Sequence, residues 1–294
     1  MKKLIVGIGE ILWDVFPEGK VLGGAPANFA YHIAQFGYEG FVVSAIGKDI
    51  AGEEILQSLA NRKLNHLIET VAKPTGSVLI TLDQAGVPQY KICEQVAWDF
   101  IPFTPQLEDM AKNTMAVCFG SLAQRSHLSR DTINRFLDQV PEEAYKIFDI
   151  NLRQHFYSRE LIHKSLLKCN VLKINDEEAA VVSTLFDWKN LSETSVCRKL
   201  LSEFNLRMVI LTKGSLGSCV FTPTETSFCE TPKVTVADTV GAGDSFTAAF
   251  IAALLHGQSI QKAHQFAVDV SAYVCTQNGA MPKLPDCFLE TVEK

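Results

Sequence analysis

"TVADTVGAGDSFTAAF", residues 235–250, sets Gly241 and Gly243 beside an acid, Asp244, and then runs straight into apolar sequence. From Ser245 to Leu255 the chain reads SFTAAFIAALL, rich in helix formers and apolar on every side, and it stops at His256-Gly257. A helix that is apolar all round is a buried one, and glycine just past its end is a common stop. The first turn of such a helix carries N–H groups without intrahelical acceptors and the positive end of the helix dipole. Gly241 and Gly243 let those amides curl into a nest that suits an anion. Asp244 then has two readings, an N-terminal cap or a general base beside an oxyanion or phosphate hole. With a buried helix behind it, the nest must face a cleft or be covered.

Working outward, apolar β-branched runs alternate with helical patterns almost throughout. Strands are predicted at 3–9, 41–46, 115–119, 146–150, 171–174, 208–212 and 218–221, and helices near 26–36, 51–63, 129–139, 159–168, 176–184, 192–203, 244–256 and 260–275. Apolar strands alternating with helices imply a mostly parallel sheet covered on both faces, an α/β fold. Two stretches break the rhythm. Residues 76–103 read as two or three strands with a turn at Gln84-Ala85-Gly86 and no helix, and residues 13–24 carry Pro17, Gly19, Gly23 and Gly24 without helix. The expected organisation is a core of residues 1–12, 25–75 and 104–294, with a small β-sheet lid made of 13–24 and 76–103.

Composition excludes several classes. A net charge of −6 leaves no basic footprint for nucleic acid or an anionic membrane. The eight cysteines contain no CxxC pair and read as reduced core residues, and the seven histidines show no metal-ligand spacing. The longest uncharged apolar run, AAFIAALL, is too short to span a bilayer, so a soluble cytoplasmic protein is expected. There is no GxxxxGK[ST], GxSxG or HExxH motif, and the third glycine of a dinucleotide fingerprint after Gly7 and Gly9 is replaced by Leu12.

Other polar constellations follow strands, where ligands collect at the edge of an open α/β sheet. Asp14 follows the first strand. "LGGAPANFAYHIAQFG", 22–37, is a glycine-rich turn that enters a helix, with Asn28 near its start as cap or hydroxyl ligand. "DINLR", 149–153, ends a strand with Arg153, which can meet a phosphate or a surface acid. In "NDEEA", 175–179, Asn175 and Glu178 share a face and can either hold hydrated magnesium or cap the helix. "LTKGSLG", 211–217, places Thr212, Lys213, Gly214 and Gly217 in a turn able to approach a ligand, although hairpins look like that too. An anion nest, a base, a magnesium site and hydroxyl ligands on one sheet edge are the parts of phosphoryl transfer from a nucleotide to an alcohol.

At this point the sequence resembles the ribokinase/PfkB carbohydrate kinases. "GGAPANFA" and "DTVGAGDSFTAAF" look like the family's two signatures, and NxxE at 175–178 and the TKGxxG-like turn at 212–217 lie in order between them. "GEILWDVFP", "FGSLAQRS" (119–126) and "VAWDFI" look most like the fructokinase branch. The resemblance implies a ribokinase-like three-layer core with a β lid, and ATP-dependent phosphorylation of a monosaccharide, with D-fructose to fructose 6-phosphate leading. Ribose, another ketohexose, a sugar acid, a nucleoside or a catalytically silent sugar binder are the alternatives.

By the same resemblance Asp244 would be the base, with Gly241, Ala242, Gly243 and the Asp244 amide as anion hole. Asp14, Gly23, Gly24 and Asn28 would hold sugar hydroxyls. Asn175 and Glu178 would order magnesium through water, Thr212, Lys213, Gly214 and Gly217 would border ATP, and Arg153 would face phosphate or sugar. Relatives bind potassium at positions matching Asp238, Val240, Val274, Gln277 and Gly279; here Lys283 stands near that ion, and its ammonium is expected to weaken or replace it. Glu94 stands where typical fructokinases carry a lid arginine, so the motifs leave the sugar open. Pairing of lids across a homodimer is expected by analogy.

Overall fold

The apolar runs line up as one broad sheet in the computed structural model, which describes residues 4–82 and 88–293. The chain begins with β1 (Leu4–Ile8), the hairpin β2 (Leu12–Phe16) and β3 (Gly19–Gly23), α1 (Ala25–Gln35), β4 (Glu39–Gly47), α2 (Ile50–Asn61) and β5 (Asn65–Val71). A second hairpin, β6 (Ser77–Leu82) and β7 (Pro88–Ile92), is followed by α3 (Pro105–Lys112), β8 (Thr114–Phe119), α4 (His127–Gln139) and β9 (Tyr145–Asp149). Then come α5 (Arg159–Lys168), β10 (Val171–Asn175), α6 (Asp176–Leu185), α7 (Glu193–Glu203) and β11 (Met208–Thr212). The short strands β12 (Ser218–Phe221) and β13 (Thr226–Cys229) precede α8 (Ala242–Leu255), α9 (Ile260–Cys275) and α10 (Asp286–Glu293).

Nine strands form one sheet in the order β13-β12-β11-β10-β9-β8-β1-β4-β5. It is parallel from β11 to β5 and antiparallel only at the β11-β12-β13 end. Side chains alternate between its faces, as the pleat requires. Val6, Ile8, Val117, Phe119, Phe148 and Leu172 join the core under α3 to α7, whereas Ile5, Ala116, Cys118, Ile147 and Val171 join the core under α1, α8 and α9. This three-layer, ribokinase-like arrangement confirms the expected fold class. α8 is buried along most of its length because the sheet lies on one side of it and α1 and α9 pack on others.

A separate four-stranded sheet, β3-β2-β6-β7, carries the two irregular stretches. Its two hairpins leave the chain far apart and meet through the parallel pair β2-β6, with Trp13 opposite Ser77 and Val15 opposite Leu79. The expected turn at 84–86 lies outside the described residues. Where no helix was expected, Ala97–Phe100 forms a 3-10 turn with Trp98 fully buried. Four elements carried too weak a pattern to be marked: β5 is a half-exposed edge strand, α3 buries only Leu107 and Ala111, β13 has four residues, and α10 is a short segment near the end of the chain.

Candidate active site

The strand order reverses at β1, which lies between β8 and β4, and polar residues gather at the carboxyl ends beside this reversal. Just past β1, Glu10 is 3% exposed and its Oε2 has no hydrogen-bond partner among the described residues. Burial pushes its carboxyl up to about 7, against its own backbone amide, and Asp244 raises it further while Arg153 and the Ala25 amide pull it down. The sequence alone assigns Glu10 no role. A carboxylate set beside a buried strand was the available signal, because such groups are seldom fully buried without a partner.

The β2-β3 hairpin brings Asp14, Gly23 and Gly24 to the same place. Asp14 is half-buried on β2, and burial raises its carboxyl to about 6, with Arg153 opposing. Gly23 leaves room for the Asp14 carboxyl group, and Gly24 passes close to the Glu10 carbonyl with φ 118°. Pro26 sits in the first turn of α1, as expected, and Asn28 follows one turn in, 4% exposed. Asn28 Nδ2 donates to Asp244 Oδ2 at 2.7 Å, whereas Asn28 Oδ1 has no partner among the described residues.

Asp244 is not the cap of α8. Gly241 occupies the cap position in the left-handed region (φ 78°), so Asp244 is the third helical residue and its side chain closes no cap bond. A Cβ at Gly241 would stand 2.6 Å from the Ala280 Cβ, so both conformation and space call for glycine there. The Ala242 amide donates to the Thr239 carbonyl at 3.3 Å, while Gly243 and Asp244 lie in the turn whose amides lack intrahelical acceptors. Burial raises the Asp244 carboxyl to about 6, and Asp149 adds to this, against the Asn28 hydrogen bond and the charges of Lys173 and Arg153.

Lys173 is the second residue that sequence reading passed over, as one letter in the strand VLKI. A lysine inside an apolar strand needs a buried partner, and here Asp149 supplies it. Lys173 Nζ donates to both Asp149 oxygens, at 2.9 and 2.8 Å. The same Nζ would stand 3.0 Å from a Cβ at Gly243, which puts an ammonium against the nest. Burial works against its charge, but Asp149 and Glu178 more than offset this, and the ammonium is held above the ordinary lysine range. Asn151 and Arg153 follow Asp149 on a loop that turns through a left-handed Asn151 (φ 41°), and Arg153 is exposed toward the three carboxyls.

Asn175 and Glu178 form a reciprocal capping box. Glu178 N–H donates to Asn175 Oδ1 at 2.8 Å, and Asn175 N–H donates to Glu178 Oε2 at 2.9 Å. Glu178 Oε1 also accepts from the Leu152 N–H at 2.9 Å, tying the β9 loop to α6. Beyond them, Thr212 ends β11, and Lys213 pairs with Glu193 at 2.8 Å and lines a cleft of ≈ 550 Å³ between α6 and α7. Gly214 and Gly217 shape the turn after it, both with positive φ.

The candidate cation positions also converge. Asp238 Oδ1 accepts from Val240 N–H at 3.0 Å and Oδ2 from Gly279 N–H at 3.1 Å, while the Val274 carbonyl accepts from Gln277 N–H at 3.0 Å. Lys283 is exposed, and its carbonyl accepts from the Tyr273 hydroxyl. Among the described residues no cluster of three or more His, Cys, Asp or Glu can hold a metal by itself, and no helix is long and apolar enough to cross a membrane.

The model of the pfkB family carbohydrate kinases matches residues 14–287. The chain is 28% identical to an ATP-dependent 6-phosphofructokinase of Thermoanaerobacterium thermosaccharolyticum, with 96% of this chain and 91% of that one covered. It is 26% identical to a fructokinase of Klebsiella pneumoniae, with 95% of each covered. Among solved structures, an uncharacterised sugar kinase from Pyrococcus horikoshii superposes with a TM-score of 0.83 at 24% identity, covering 98% of this chain and 97% of that one. A Vibrio cholerae fructokinase with fructose, ADP and potassium ion bound gives 0.82 at 22% identity, covering 100% of this chain and 99% of that one.

Proposed function

Because this chain belongs to the pfkB family of carbohydrate kinases, we propose that it transfers the γ-phosphoryl group of ATP to a primary hydroxyl of a monosaccharide, with D-fructose to fructose 6-phosphate as the first candidate. The observation that carries the reading is Asp244, a carboxylate held by Asn28 at the N-terminal turn of a buried helix, beside an amide nest and an ammonium. The fructokinases among its relatives support the choice of fructose.

In this reading the unpartnered Glu10 Oε2 and Asn28 Oδ1, with Asp14, are acceptors waiting for sugar hydroxyls. Asn28 fixes Asp244 so that one carboxylate oxygen stays directed at the attacking hydroxyl. The proton passes to Asp244 as the sugar oxygen bonds to the γ-phosphorus and the bridging oxygen departs with ADP. Charge growing on the transferred group meets the amides of Gly241, Ala242, Gly243 and Asp244, which are aimed beforehand and need no reorganisation. Ala242 N–H must exchange the long bond to Thr239 for a phosphoryl oxygen.

Lys173 adds positive charge to the nest, and Arg153 closes it from the β9 loop. Thr212, Lys213, Gly214 and Gly217 border the nucleotide. Magnesium, when bound, neutralises the phosphates. Glu178 fits a water-mediated role there, since both of its oxygens already accept amides and a magnesium ion held mainly by phosphates and water asks for few protein ligands.

The test is ADP release from Mg-ATP over a panel of sugars that includes fructose 6-phosphate, with wild type beside Asp244→Asn. Turnover on one sugar, reduced by about 10²–10⁴-fold in the variant, is the expected result. ATP binding without turnover on any sugar would refute the fructose assignment, and absence of ATP binding would refute the kinase reading of this site.

A further inference from the structure

A second cleft, of ≈ 500 Å³, opens between the end of β7 and the starts of α4 and α5, and none of the roles above uses it. Its volume lies within the range of small-molecule sites, roughly 300–1,000 Å³. Two helix N-termini reach it. α4 begins at Ser126, whose side chain makes no capping bond, and its first turn holds no acid, so its amides and dipole face outward uncompensated. α5 begins at Ser158, which caps through the Leu161 amide.

Arg125 lines the cleft and supplies the independent observation. Its side chain is 7% exposed, sandwiched against the rings of Trp98 and Phe156 at 4.0 and 4.5 Å. Nε and Nη2 donate to the two Asp99 oxygens at 2.8 and 2.9 Å, yet Nη1 is buried with no partner among the described residues. A buried guanidinium nitrogen left unpaired costs free energy unless a ligand accepts from it. Arg130, one turn into α4, lines the same cleft, and Glu94 stands on its rim. Asp99 balances Arg125, so that guanidinium contributes here through the direction of its donors and not through net charge.

We infer that this cleft is an oxyanion site that takes the phosphate group of a phosphorylated small molecule, distinct from the nest at 241–244. Planar guanidinium donors and helix amides match phosphate oxygens, and the volume leaves room for a sugar-sized body attached to the phosphate. Two sources share this chemistry: the distal phosphate of a sugar that also occupies the Asp14–Asn28 pocket, or a separate phosphorylated effector. The inference stands whichever sugar is phosphorylated, and whether or not the kinase reading holds, because it is read by binding.

The experiment is calorimetric titration of the whole chain with inorganic phosphate and with fructose 6-phosphate, for wild type, Arg130→Gln and Glu94→Gln. Arg125 is left alone because its loss would strand Asp99. Arg130→Gln is expected to weaken both ligands by about tenfold or more, the size of a lost hydrogen bond between charged groups. Glu94→Gln is expected to tighten them by about two- to fivefold, the range of a rim charge. Turnover of fructose without phosphate should be the same in Arg130→Gln as in wild type. If saturating fructose displaces fructose 6-phosphate, the phosphate belongs to a substrate or product; if both bind together, it belongs to an effector. Phosphate binding that is unchanged in both variants would place the anion elsewhere and overturn the inference, as would the absence of any binding at millimolar concentrations.

Discussion

Replacing Asn28 by leucine tests how the base is tuned. In the unliganded protein the Asn28 amide donates to Asp244 Oδ2 at 2.7 Å, and this bond opposes the burial that raises the carboxyl to about 6. A hydrogen bond to a charged group contributes about 1.5–3 kcal/mol, and the lower end applies because Asp244 is only half-buried. At 1.36 kcal/mol per pKa unit, its removal raises the Asp244 carboxyl by about one unit, from near 6 to near 7. A base must be ionised to act, so the acid limb of kcat/KM, which reports the free enzyme, moves up by the same amount.

At pH 6 the ionised fraction falls from about one half to about one tenth, roughly a fivefold further loss of rate beyond any pH-independent loss of sugar affinity. The assay is chromatographic ADP measurement from quenched reactions at subsaturating sugar across the acid and neutral range. Asp14, also raised to about 6, and Glu10, raised to about 7, steepen the limb in both proteins without moving it between them. A limb that stays in place, or moves down, would refute the assignment of Asp244 as the titrating base and of Asn28 as its donor.

Asp244→Asn should keep or raise stability at neutral pH while losing activity. The folded carboxyl titrates above its unfolded value, so its stabilising contribution is present below the ordinary carboxylate range and is lost as pH rises through about 6; a melting temperature well below wild type at neutral pH would contradict this. Lys173→Met strands the 5%-exposed Asp149 carboxylate and should cost about 3–5 kcal/mol in urea unfolding, most of it recovered when Asp149 is changed to leucine as well. Gly241→Ala should cost about 1–2 kcal/mol for the left-handed backbone alone, more with the overlap on Ala280, and should lower kcat by disturbing the nest; unchanged kinetics would separate the nest from catalysis. If the Lys283 ammonium takes the place of a monovalent cation, exchanging potassium for sodium leaves the rate unchanged, and strong potassium activation would overturn that reading.

Much of the architecture was legible because the sheet is buried on both faces, which forces continuous apolar strands such as LIVGI and MVILT and leaves their boundaries sharp. β5 and β13 at the sheet's two ends, and the short α3, bury too little to leave such a pattern. The residues drawn from motif spacing, from Asp14 and Asn28 to Asp244, do meet at one edge. Glu10 and Lys173 were missed for a common reason: each is a single charge within apolar sequence, and only the three-dimensional neighbours, Arg153 and Asp244 for one and Asp149 for the other, give it a purpose. Asn175 and Glu178 show the opposite case, since a capping box and a water-mediated metal site share one spacing and the unliganded fold satisfies the first.

The smaller sheet is attached to the larger body through several short segments of chain, and one is a single residue: only Gly24 separates the end of β3 from the start of α1. A force that tilts that sheet has no slack to take it up at this joint. It must be absorbed by rotation about the Gly24 backbone, already in a region open to few other residues, or be passed on as a push along the axis of α1. Asn28 rides on the first turn of that helix and donates to Asp244 on α8. The joint therefore ties β3, through a single residue, to the helix whose Asn28 holds the Asp244 carboxylate.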